Sequence, residues 1–141
     1  VVSHNATITK HFEVLPGAAS FDVLLMWNDY PAAPYETVSL VNDLDMIIID
    51  PSGDTLKPWQ MDYTPDGVLI AASKGADHTN NHEQITVTIP ETGIYTVLVN
   101  GYKVLMGQQK AWLSWDIHQN GITLQSPAGG EIFKPGNPDR D

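Results

Sequence analysis

The chain has 141 residues, 42% of them hydrophobic, and sets 17 acidic side chains against 7 basic ones, for a formal charge of −10. That length suits one domain with a usable core, and the acidic balance excludes the basic stripe that nucleic acid or an anionic membrane surface requires. Cysteine is absent, which excludes disulfides, thiolate metal sites and a cysteine nucleophile, and no apolar run reaches the length of about 18 residues that a membrane helix needs.

In chain order the dominant period is two, the signature of half-buried strands. Over residues 6–14, Ala6, Ile8, Phe12 and Val14 share a face with Lys10, opposite Thr7, Thr9, His11 and Glu13. Leu15-Pro16-Gly17 then makes a turn. Over residues 21–27, Phe21, Val23, Leu25 and Trp27 point one way. The loop NDYPAAPYET follows, and its prolines forbid a central strand.

The stretch LVNDLDMIIID (residues 40–50) is expected to enter a buried strand at Leu44, with Asn42 turning the chain into it. Leu44, Met46 and Ile48 face one side, Asp45, Ile47 and Ile49 the other, and Asp43 lies at the strand's mouth. DPSGD ends the strand, with Pro51 presetting φ and Gly53 supplying φ > 0; TLKPW reads as the return strand of a hairpin. Residues 60–82 are polar and irregular, and so long a connection points to function, metal ordering or disorder. EQITVTIP is a strand with Ile85, Val87 and Ile89 inward. After the ETG turn, IYTVLVNGY places Tyr95, Val97 and Val99 on one face, and after KVLMGQ, QKAWLSWDI places Leu113, Trp115 and Ile117 together. Roughly eight strands at short spacing predict an all-β chain, an antiparallel β-sandwich or jelly roll. From Ile122 the chain turns rich in Pro and Gly, so residues 1–120 are read as one domain and 121–141 as a linker or the start of another.

Catalytic arrangements fit poorly. No serine lies in a G-x-S-x-G or G-T-S-M-A context, so a Ser–His–Asp triad has no nucleophile. Asp43 and Asp45 have the spacing of a glycosidase carboxylate pair, but a domain this small leaves little room for a sugar cleft. His78 and His82, in HTNNH, have the i, i+4 spacing of a helical zinc pair; the run is all turn formers, so the two read as exposed loop histidines. Calcium is the better match for the acidic loops, because it takes oxygens from carboxylates, amides and carbonyls. Asp43 and Asp45, with Asp77, Asn80, Asn81 and Glu83 before the next strand, form the candidate set. Asp45, in line with apolar residues, needs a cation or backbone amides if buried; turn formation and local amide bonding are the competing roles for the asparagines. Trp27 and Trp115 lie in phase with apolar neighbours and are expected in the core. Trp59 and Trp112 are left as candidates for a carbohydrate- or surface-binding platform.

Four segments in order, LLMWNDYPAAP, LVNDLDMIIIDPSG, NNHEQITVTIPETGIYTVLVNGYKVLMGQQ and WLSWDI, resemble the β-sandwich that follows the catalytic domain in secreted subtilisin-like serine proteases, itself distantly similar to the P-domain of proprotein convertases. They cover most of residues 5–118. The resemblance implies a non-catalytic accessory domain that packs on and stabilises a protease domain in the same parent chain. It implies secretion or a cell-surface location, a monomer, and calcium at the positions matching the acidic loops: Asp43, Asp45, Asp77, Asn80 and Asn81. Where relatives carry more aspartates before the paired asparagines, this chain has AASKGADHT.

Overall fold

The computed structural model describes residues 1–62 and 64–119; the expected linker, residues 121–141, lies outside them. Nine strands are assigned among the described residues: β1 Thr7–Val14, β2 Ala18–Trp27, β3 Asn42–Ile49, β4 Thr55–Leu56, β5 Trp59–Gln60, β6 Ser73–Lys74, β7 His82–Thr88, β8 Gly93–Val104 and β9 Ala111–Gln119. A single 3-10 turn, Gly67–Leu69, interrupts the long polar segment. The chain is an all-β sandwich. One sheet runs β1-β8-β3-β4, the other β7-β2-β9, and β5 and β6 form a separate ribbon. Every pairing is antiparallel.

Alternation built the core as the sequence requires. Phe21, Val23, Leu25 and Trp27 of β2 are buried against Leu44, Met46 and Ile48 of β3, with Tyr95 and Val97 of β8 and Ile85 of β7. The rings of Phe21 and Tyr95 meet edge-on between the sheets, 5.2 Å apart at their centroids, a favoured aromatic geometry.

Four expectations change. Trp115 lies on the inner face of β9, opposite Val23, and its ring is 5.0 Å from that of Phe12; yet it remains 55% exposed, because β9 lies at the edge of its sheet. Ile89 is exposed and has φ 49°: β7 ends at Thr88, and the Ile89 N–H turns to the carbonyl of Ala19. TLKPW does not form one strand; β4 stops at Leu56 and β5 restarts at Trp59, after Lys57 and Pro58. Asn42 is not a turn residue but the first, fully buried residue of β3.

That last difference positions the site. The carboxylate of Asp29 accepts the N–H groups of Val41 and Asn42 at 2.6 and 2.8 Å. Asn42 Oδ1 accepts from the N–H groups of Leu105 and Met106, and its Nδ2 donates to the Met106 carbonyl and to Gln109 Oε1. Trp27 Nε1 donates to the Asn42 carbonyl at 2.8 Å. Buried polar groups must be paired, and here one asparagine joins β3, the end of β2 and the loop between β8 and β9.

Just beyond Asn42 the pairing slips. Asp43 sits opposite Lys103 but Asp45 opposite Asn100, so Gly101 and Tyr102 together face Leu44, a β-bulge that bends the strand and re-aims its side chains. Glycine is needed at 101 for close approach: a Cβ there would lie 2.1 Å from the Ser3 carbonyl oxygen.

Candidate metal centre

The bulge places Asp43 and Asp45 at one end of the sandwich, where the loop before β7 crosses over them. Asp77 forms that loop. Its Oδ1 accepts from the N–H groups of Thr79 and Asn80 at 2.9 and 3.2 Å, and its Oδ2 accepts from Asn80 Nδ2 at 2.7 Å. Aspartate readily stabilises a turn this way. Asn81 ties the loop to the end of β2: its Nδ2 donates to the Trp27 carbonyl at 2.7 Å, and its carbonyl accepts the Trp27 N–H. These bonds hold His78 over β3. His78 Nδ1 lies 2.8 Å from Asp43 Oδ2 and 3.5 Å from Asp45 Oδ1, and its ring stacks on Tyr102 of the bulge with centroids 4.3 Å apart.

One ligand atom from each of Asp43, Asp45 and His78 lies within 4.8 Å of the other two. The sequence paired His78 with His82 as loop histidines; the fold pairs it with Asp43. Asp43 is buried and Asp45 partly so, and burial raises both carboxyls above their usual range, against the opposing pull of His78.

Glu83 completes the acidic group from the opposite sheet. Its phase on β7 is that of Ile85, so it points inward and is fully buried. One carboxylate oxygen accepts the Met46 N–H. Burial pushes the carboxyl up to about 8, opposed by that N–H and reinforced by Asp45, Asp77 and Asp43. Glu83 and Asp45 line the same small cavity, about 70 Å³, with Lys57 and Ala76 among its walls. Asp45 also borders a wider open groove with Asn100 and Tyr102.

Among the described residues, three buried carboxylate oxygens here have no hydrogen-bond partner: Asp43 Oδ1, Asp45 Oδ1 and Glu83 Oε1. Such atoms cost about 1–3 kcal/mol each, more when charged. Of the six expected donors, then, Asp43, Asp45 and Glu83 offer free oxygens. Asp77 accepts from the N–H groups of Thr79 and Asn80 and from Asn80 Nδ2, and Asn81 Nδ2 donates to the Trp27 carbonyl on β2.

Trp59 and Trp112 are partly exposed, at 42% and 45%, on the β5–β6 ribbon and on β9 respectively. The Lys74 ammonium sits 3.5 Å over the Trp59 ring and Lys110 lies 5.3 Å from that of Trp112, cation–π contacts that occupy ring faces a sugar would use. Ser20 and Ser52 donate to Asp22 and Glu91 rather than to an imidazole. Among the described residues, no helix is long and apolar enough to cross a membrane.

No family model matches the chain, and no curated protein matches it.

Proposed function

We propose that the chain is a non-catalytic accessory β-sandwich of a secreted subtilisin-like serine protease, which stabilises a catalytic domain in the same parent chain and is itself stabilised by a divalent cation at Asp43 and Asp45. The observation that carries the cation is the set of buried, unpartnered oxygens on Asp43, Asp45 and Glu83. Buried charges are tolerated when paired or when they coordinate metal, and this chain has no disulfide to add stability. The parentage rests on the four resembling segments, with calcium the ion they imply.

An ion that binds only the folded chain stabilises it by RT ln(1 + [L]/Kd), about 2.7 kcal/mol at a hundredfold excess over Kd. A melt after EDTA treatment, repeated with excess divalent cation, tests the site; an unchanged Tm with every cation removes it. The coding sequence upstream of Val1 tests the parentage. Aspartate, histidine and serine motifs of a subtilisin-like catalytic domain are expected there, and an unrelated upstream domain rejects that origin.

A further inference from the structure

Resting on the cation reading above, the geometry points to a narrower ion class: we propose that the cleft is a His78-dependent site for an imidazole-accepting divalent cation such as zinc, with Asp43 and Asp45 as the other protein ligands. Calcium calls for about six to eight oxygens at 2.3–2.6 Å. Among the described residues, the acidic and histidine side chains close enough to share an ion are Asp43, Asp45 and His78, two carboxylates and one imidazole. The Asp77 carboxylate is taken up by the N–H groups of Thr79 and Asn80 and by Asn80 Nδ2.

What the fold does supply is a nitrogen. His78 Nδ1 stands 2.8 Å from Asp43 Oδ2 and 3.5 Å from Asp45 Oδ1. Zinc holds nitrogen and carboxylate oxygen at about 2.0–2.2 Å in a tetrahedron, which sets neighbouring donors roughly 3.3–3.5 Å apart. The two separations from His78 bracket that spacing, and the third, between the carboxylates, lies within 4.8 Å. Tyr102 holds the imidazole plane by stacking, and the turn around Asp77 fixes its backbone. Asp43, 4% exposed, still has Oδ1 free, and so does the 1% exposed Glu83 with Oε1 on the cavity it shares with Asp45. An ion in the cleft would give these oxygens a cation to face. The groove beside Asp45 and Tyr102 opens to solvent and gives the ion a way in.

The experiment uses the full chain stripped with EDTA and titrated separately with Zn²⁺ and Ca²⁺, read by calorimetry and Tm. Co²⁺ serves as a spectroscopic probe of nitrogen ligation. Zn²⁺ is expected to bind one per chain and raise Tm more than equal Ca²⁺. His78→Ala and His78→Gln are expected to weaken Zn²⁺ by more than the roughly tenfold that loss of an outer-shell partner costs and to alter the Co²⁺ spectrum; because His78 also bonds to Asp43, each variant's affinity is measured well below its own metal-free Tm. Asp43→Asn should likewise weaken binding, which separates this site from the other histidines. Zn²⁺ affinity unaffected by His78→Ala overturns the assignment. A response to Ca²⁺ alone also overturns it and leaves the cation-stabilised reading standing. No response to either ion overturns both.

Discussion

The carboxylate of Glu83, on β7, accepts the backbone N–H of Met46, on β3 in the opposite sheet. β4 pairs only with Ile48 and Ile49, so the edge of β3 at Met46 has no strand beside it, and an inward-facing glutamate takes the N–H that a longer β4 would have met. The same carboxyl faces Asp43, Asp45 and Asp77, and burial raises it to about 8.

That value sets a pH dependence for the metal-free chain. Glu83 ionises near its ordinary 4.5 when unfolded and near 8 when folded. Between those values the folded chain holds more protons, so stability falls as pH rises through the window and is level outside it. The total loss is on the order of a few kcal/mol. Asp43 and Asp45, also raised, add a slope of the same sign above 3.8. Urea titrations at pH 5 and pH 8 should show the fall, and Glu83→Gln should remove most of its upper part; an unchanged slope in that variant rejects the assignment.

Asp45→Asn should stabilise the metal-free chain at neutral pH. Its Oδ1 is buried without a partner, and burial outweighs the attraction of His78. The expected gain is about 1 kcal/mol, visible as a higher Tm in EDTA. A lower Tm would show that the His78 contact dominates.

Asn42→Ala should be among the most damaging single changes. It removes the side-chain bonds to Leu105, Met106 and Gln109 and leaves those groups, part-buried or buried, without their partner. A loss of about 2–4 kcal/mol in urea unfolding is expected; a loss under about 0.5 kcal/mol, the range of ordinary surface changes, contradicts the hub.

The tryptophans should separate cleanly. Trp27 is buried and donates to the Asn42 carbonyl, so Trp27→Phe should cost about 1–3 kcal/mol. Trp112 is half-exposed on an edge strand, and Trp112→Phe should stay within about 0.5 kcal/mol. Acrylamide quenching should fall in the Trp112 variant and leave a shielded fraction that disappears with Trp27→Phe.

Period-two patterning alone determined the all-β class and the inward faces of β2, β3 and β8, because side chains on a strand alternate whatever the strand pairs with; proline and glycine placed the turns at Gly17 and Gly53. Glu83 was legible only as an oxygen donor before a strand; its inward phase and its bond to Met46 came from the fold. Phase is local, however, and cannot tell an edge strand from a central one. Trp115 has the phase of a core residue and the exposure of a rim residue for that reason. His78 joined Asp43 only because a bulge opposite Leu44 and a turn around Asp77 brought two segments 35 residues apart to one place. Asn42 looked like a turn former until the loop between β8 and β9 supplied its partners. The acids of LVNDLDMIIID were legible as unusual in the sequence; that three of their neighbourhood's oxygens would be buried without donors, beside an imidazole, was decided by the packing of two sheets.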